Sequence, residues 1–240
     1  MALPIEDYAV LGDTGTAALV GKDGSVDWLC LPRFDSHACF AALLGGPEHG
    51  RWLLGPTEDE GAACRRRYVG DSAVLETTWT TDTGCVVVLD VMPLGDGRAD
   101  IVRRIVGVEG EMAIRHEWVV RFGYGKVRPW VRRQEAHGVE VITAVAGPDR
   151  LILRGPRLPR AGDGRHADEF TVKAGEELTF STTWAPSHHE LPQPLAYQDR
   201  IDETISVSED WAGVCSYDGP YRAAVERIER TESGGFRLQA

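Results

Sequence analysis

The side chains best placed to do chemistry sit in one short run, Arg33-Phe34-Asp35, with Ser36 and His37 directly behind it. A guanidinium and a carboxylate two positions apart offer hydrogen-bond donors and acceptors to a polar ligand, and the ring between them offers an apolar face. The same pair can instead close on itself as a charge-assisted hydrogen bond that fixes the loop, with Phe34 turned into the core. Both readings stay open on the residues alone. For the run to be an enzyme's centre, a cleft would have to form around Arg33, Asp35 and His37.

Other groups suggest chemistry less directly. Gly12-Asp13-Thr14-Gly15-Thr16 has the glycines of a phosphate loop but lacks the Gly-Lys-Ser/Thr ending and the following long helix, so a β-turn is expected. His188-His189-Glu190 lies between Pro186 and Pro192; adjacent residues of an extended segment point to opposite faces, so joint metal ligation is not expected and no metal is assigned. The five cysteines, Cys30, Cys39, Cys64, Cys85 and Cys215, are odd in number and widely spaced, which argues against a disulfide framework or a zinc site. Cys85, heading Val86-Val87-Val88-Leu89, reads as a small buried hydrophobe. Aromatic faces can stack on pyranose rings, but Trp28, Trp79, Trp118 and Trp184 lie in strand patterns and are expected in the core. Trp52, Trp130 and Trp211 are expected near edges or interfaces. His49, His137 and His166 read as surface residues, His116 as partly buried, and Glu58-Asp59-Glu60 as a solvated loop.

The elements that must position these groups are mostly strands. Short β-branched or aromatic runs recur between Gly, Pro and Asp turns. Ala17–Val20 and Ser25–Leu31 flank Gly21-Lys22-Asp23-Gly24 as a hairpin. Further strands are expected over residues 51–54, 74–80, 85–91, 101–108, 112–122, 127–131, 139–145, 151–154, 169–172 and 177–184, with Thr83-Gly84 as a tight turn. Ile114, Trp118, Val120 and Phe122 share one face, and His116 falls on it too. Many short strands with turn signals at this spacing imply a mainly β fold, a large antiparallel two-sheet super-β-sandwich with a short C-terminal helical segment. Phe40–Leu44 before Gly45-Gly46 reads as a short helix with a glycine stop. Tyr197, Ile201, Ile205 and Trp211 recur at near-helical spacing and predict an amphipathic helix beyond the sandwich. Gly219-Pro220 then opens another helical pattern through Tyr221, Ala224, Val225 and Ile228, while Arg160–Arg165 reads as a flexible surface connection. Residues 1–193 are thus assigned to the sandwich, 194–230 to a helical linker and the start of a further helix, and 231–240 to a flexible tail.

Bulk properties narrow the function classes. The chain has 240 residues, of which 42% are hydrophobic and 26% charged, as in ordinary globular proteins. A net charge of −11 opposes binding to nucleic acid or to anionic membrane surfaces and leaves neutral ligands such as sugars open. Glu6 and Asp7 interrupt any export-signal core after Met1–Ile5, and the apolar runs are too short to span a bilayer, so a cytoplasmic location is expected.

The stretch Tyr8-Ala9-Val10-Leu11-Gly12-Asp13-Thr14-Gly15-Thr16-Ala17-Ala18-Leu19-Val20 resembles the opening of bacterial glucoamylases and trehalases of glycoside hydrolase family fifteen. Asp23-Gly24-Ser25-Val26-Asp27-Trp28-Leu29-Cys30-Leu31-Pro32-Arg33-Phe34-Asp35-Ser36 strengthens the likeness. Arg66-Arg67-Tyr68, Val74–Thr77, Asp90-Val91-Met92-Pro93, Val102-Arg103-Arg104, Arg121–Gly125 and Tyr217–Arg222 add to it, so that it spans residues 8–227. His37 departs from the pattern, where many relatives have a proline. The resemblance implies an N-terminal super-β-sandwich, a helical linker and then a six-hairpin (α/α) barrel whose two glutamates hydrolyse an α-glucosidic bond with inversion. The match fails after Arg227, where Ile228-Glu229-Arg230 and a polar tail replace an apolar helix, so the barrel and its glutamates are expected to lie outside this chain. No catalytic residue and no cofactor are assigned. Arg33, Phe34 and Asp35 are the implied substrate-binding residues, reaching toward the barrel to meet a neutral sugar. The expected partner is that barrel; the alternatives are a stand-alone module that pairs with itself or with another protein through the apolar surface the barrel would cover and the helix over 197–211, or a small repurposed enzyme with a cleft around Arg33, Asp35 and His37.

Overall fold

The computed structural model describes residues 2–57, 62–94, 97–214, 216–217 and 219–220. The Glu58–Glu60 run, Cys215, the helical pattern from Tyr221 and the 231–240 tail lie outside the described residues. Fifteen strands and one α-helix are present among the described residues: β1 (Tyr8–Gly12), β2 (Ala17–Gly21), β3 (Ser25–Cys30), β4 (Ala38–Phe40), β5 (Arg51–Pro56), β6 (Ala63–Tyr68), β7 (Leu75–Thr80), β8 (Gly84–Val91), β9 (Ala99–Val119), β10 (Trp130–Ala136), β11 (Val139–Ala146), β12 (Asp149–Arg154), β13 (Arg160–Gly162), β14 (Arg165–Lys173), β15 (Glu177–Pro186) and α1 (Tyr197–Ala212). Every pairing between them is antiparallel. The mainly β fold with one short helical segment is therefore as expected.

β9 organises the molecule. Its first half, through Gly110, pairs with β8 and β15; its second half, from Glu111, pairs with β14 and β5. The two halves were expected as separate strands, because Glu109-Gly110-Glu111 breaks the apolar pattern. Instead Gly110 takes a left-handed φ of 57° and lets one strand bend from one sheet into the other without losing its partners. The turn between β14 and β15 makes the same crossing, donating from Gly175 N and Ala174 N to the Gly107 and Gly110 carbonyls.

Between the sheets lies one core, in which Leu29, Trp52, Val88, Ile105, Ile114, Trp118, Leu153, Val172 and Phe180 are all buried. Two-residue periodicity supplies it: Leu75, Thr77 and Trp79 of β7 point inward while Glu76 and Thr78 are only half-buried. Polar ties cross it as well. Trp118 Nε1 donates to Thr182 Oγ1 at 3.0 Å. Arg103, fully buried, makes a two-pronged pair with fully buried Asp90 at 2.7 and 3.2 Å and donates to the Trp52 and Gly24 carbonyls of the opposite sheet. Removing either charge would leave the other unpaired, a cost of about 3–5 kcal/mol. The Asp90–Pro93 and Val102–Arg104 motifs thus encode one salt bridge.

Several expectations need correction. Trp52 is not near an edge: it is fully buried, beneath the Arg103 guanidinium at 5.3 Å. Phe40 belongs to β4, and only Ala42–Leu44 coil, as one 3-10 turn ahead of Gly45. Arg160–Arg165 is not a flexible connection but a hairpin, with Asp163 and Gly164 both at positive φ, the geometry of a tight Asp-Gly turn. β1 and β6 are not among the expected strands; in β6, Arg65-Arg66-Arg67 carries no apolar alternation, and its charges suit an edge strand, with Arg67 paired to Glu76. Trp130, by contrast, is 69% exposed, as expected for an edge.

The amphipathic helix forms where its spacing predicts. Ile201 packs with Val74, Val91 and Val102 on the outer face of the β7–β8–β9 sheet, and Tyr197 and Ile205 flank it. Arginines guide the segment leading to it. Arg150 donates to the carbonyls of Ser187, His189 and Glu190, Arg154 to Pro192 and Arg98 to Gln193, while Arg104 reaches Gln198 within the helix.

Candidate functional site

The Arg33 loop leaves the end of β3 and is braced on both sides. Ser36 N donates to the Arg33 carbonyl at 3.0 Å, Arg33 N to Ser36 Oγ at 3.2 Å, and Phe34 N to the Gly15 carbonyl at 3.1 Å. The Gly12–Thr16 segment is the expected turn: Asp13 Oδ1 accepts from Gly15 N and Thr16 N, and Thr16 Oγ1 donates to the Cys30 carbonyl. Asp13 is set by competing effects; burial raises its pKa, and the backbone hydrogen bonds from Thr16 and Gly15 only partly offset this.

Within the loop, Arg33 and Asp35 close on each other, Nε to Oδ1 at 2.9 Å and Nη2 to Oδ2 at 3.3 Å. Both side chains stand in solvent, 73% and 72% exposed. The hydrogen bond and charge of Arg33 hold the Asp35 carboxyl below the usual carboxylate range. Such a carboxylate can accept hydrogen bonds at neutral pH but is poorly suited to deliver a proton to a leaving group. Phe34 is 51% exposed, so the reading that turned it into the core is corrected: its backbone is held by Gly15 while its ring is presented outward.

His37 adds what the sequence did not connect. Its ring meets Tyr124 edge-on at 5.7 Å, and Tyr124 in turn lies 6.0 Å from Trp28. Tyr124 occupies a left-handed turn (φ 62°) between Gly123 and Gly125, and its N–H donates to the Ala38 carbonyl at 3.4 Å. The Gly-Tyr-Gly triplet, a turn that hands an aromatic ring to a neighbour, was the available signal. One end of the sandwich thus carries a guanidinium–carboxylate pair, the exposed Phe34 ring and a Trp28–Tyr124–His37 aromatic row. That set can meet hydroxyl-rich or protein surfaces through hydrogen bonds and ring faces.

The remaining candidates fall elsewhere. His188 and His189 are exposed but do not point apart; their rings touch at 4.4 Å because Pro186–His189 is a turn rather than extended chain. Cys30, Cys39, Cys64 and Cys85 are free thiols, Cys85 only half-buried. No group of three or more His, Cys, Asp or Glu that could hold a metal occurs among the described residues. His116 is fully rather than partly buried, and neighbouring Glu117 is a buried carboxylate ringed by Arg51, Arg115 and Arg165. Among the described residues, no helix is long and apolar enough to cross a membrane.

Residues 1–158 match the family model described as trehalase-like, N-terminal. A trehalase of Mycolicibacterium smegmatis is 32% identical over an alignment covering 96% of this chain and 38% of that protein. A trehalase of Mycobacterium tuberculosis is 30% identical, covering 96% and 37%. The chain therefore spans less than two fifths of these relatives' length. Among solved structures, a bacterial glucoamylase complexed with acarbose aligns over 97% of this chain and 38% of its own, with a TM-score of 0.46 and 6% identity.

Proposed function

Because this chain belongs to the trehalase-like N-terminal family, we propose that it is the non-catalytic sandwich module of an α-glucosidic-bond hydrolase of the trehalase or glucoamylase type. Bond cleavage then belongs to an (α/α) barrel that this module buttresses, and Arg33, Phe34 and Asp35 lie at the rim where a neutral sugar is bound. The observation that carries the reading is the braced but outward-facing loop. Five hydrogen bonds hold Arg33–Ser36, yet Arg33, Phe34 and Asp35 are left in solvent. A rigid loop displaying an aromatic ring and an ion pair is suited to contact something outside its own fold. Free thiols at buried Cys30 and Cys39 favour a reducing cytoplasm. The expected result with the purified chain is no turnover of trehalose, maltose or maltodextrin. Robust hydrolysis of any of the three would overturn the proposal.

A second reading, self-pairing, is favoured by α1. Val207 and Val214 are 47% and 73% exposed, an uncovered apolar edge on and just beyond a helix whose other side is docked. It predicts a dimer by light scattering that Val207→Asp dissociates; a monomer at high concentration would count against it.

A further inference from the structure

A cleft of about 380 Å³ opens between the β13–β14 hairpin and the chain leaving β9. Its lining includes Trp118, Arg121, Arg128, Asp163, Arg165 and His166. Arg121 is only 8% exposed, and its Nη1 and Nη2 donate to the carbonyls of Val120 and Gly164, each at 2.7 Å. Those neutral acceptors orient the guanidinium but do not neutralise it. Among the described residues, neither Arg121 nor Arg128 has an acidic partner. The two converge on Gly164: a Cβ placed there would lie 3.6 Å from Arg121 Nη2 and 3.7 Å from Arg128 Nη1. The glycine, at a φ of 73°, keeps that space free of a side chain.

The surroundings add to the charge. Arg165 leans on Glu117 at 3.4 Å, but that single carboxylate is already shared with Arg51 and Arg115. Half-buried His166 stands edge-on to Trp118 and can donate from a neutral ring. Asp163, at the hairpin tip, is the only acid lining the cleft, and it forms no ion pair among the described residues. Burial, together with the Arg128 charge, pushes the Arg121 pKa down, the direction expected of a cation short of counter-charge. Leaving a guanidinium nine-tenths buried without an anion is costly, and the cost stands out in a chain whose net charge is −11.

We propose that this cleft binds a small oxyanion, a phosphate or a carboxylate group, seated beside Gly164 between the Arg121 and Arg128 guanidiniums. Planar guanidinium forks match the paired oxygens of either group. The site is separate from the Arg33 loop and does not depend on the sugar reading.

Isothermal titration calorimetry of the full chain, at constant ionic strength, with inorganic phosphate and in parallel with malonate, tests the proposal. Saturable one-site binding of at least one ion is expected, and the better ligand identifies the source of the oxyanion. Arg128→Glu should weaken it by about tenfold or more. Arg132→Glu, the same charge change on exposed β10 outside the cleft lining, should leave it unchanged, and Asp163→Asn should tighten it. Because Arg128 is exposed, its replacement leaves the fold intact, which circular dichroism checks. Absence of saturable binding for both ions, or equal weakening by Arg128→Glu and Arg132→Glu, would overturn the assignment.

Discussion

His116 sits in the middle of β9, fully buried, with Nε2 accepting a hydrogen bond from Trp52 Nε1 at 3.0 Å. Tryptophan can only donate there, so the imidazole is neutral and carries its proton on Nδ1. Burial first, and the Arg103 charge second, push its pKa down from 6.5 to about 3. The unfolded chain takes up a proton near 6.5 and the folded chain only near 3, so protonation favours unfolding in between. His116 therefore contributes stability fully above pH 6.5 and progressively less as the pH falls toward 3. Glu117 acts in the same direction at lower pH. Burial would raise its pKa, but the hydrogen bond and charge of Arg51, with the Arg115 charge, outweigh that and hold it low. Its contribution fades below the ordinary carboxylate range. Between pH 6.5 and 5 His166, whose pKa burial and the Arg133 charge also push down, acts in the same direction, and His116→Gln, which keeps an acceptor for Trp52, should make the fall in urea midpoint there shallower. An equal fall in both proteins would refute the assignment. Sequence placed His116 on the apolar face, but the depth of its burial depends on Phe180 from the opposite sheet, 4.7 Å away.

At the scale of elements, the bent β9 is the joint of the two sheets, and its glycines are what make the bend possible. A Cβ at Gly110 would collide with the Thr83 carbonyl, and one at Gly107 with the Lys173 carbonyl. Gly138, in the β10–β11 turn, also has a positive φ but faces open space. Gly138→Ala should thus cost only the backbone strain, about 1–3 kcal/mol, and Gly110→Ala should cost clearly more because the collision adds to it. Urea titration of the two variants checks this; equal losses would mean that the bend tolerates a side chain. Strand identities were legible here because alternation survives in isolation, as in β7 and β8. The continuity of β9 was not, because Glu109-Gly110-Glu111 looks like a turn until β14 and β8 are seen to pair on either side of it.

At the scale of the molecule, α1 and the arginine-held segment before it cover the outer face of one sheet. The sequence reading ends the sandwich at residue 193, and a deletion of 194–240 probes that boundary. The deletion would uncover Val74, Val91 and Val102 and remove the acceptor that Arg104 finds in Gln198. A lower denaturation midpoint and stronger binding of a hydrophobic dye are expected. A shortened chain as stable as the full one would mean that α1 adds nothing to the sandwich.

Local chemistry was enough to place most of the strands, most turns, the amphipathic helix and the family motif around Arg33, because periodicity, turn residues and short motifs are properties of neighbours in the chain. Only the folded arrangement decided that Phe34 faces out, that Tyr124 joins His37, and that Trp52 lies under Arg103. The convergence of Arg121 and Arg128 on Gly164 belongs to the same class. Each depends on residues far apart in sequence meeting across the bend of β9 or at the end of the sandwich. Burial and electrostatic balance are set by such meetings, and no window of consecutive residues contains them.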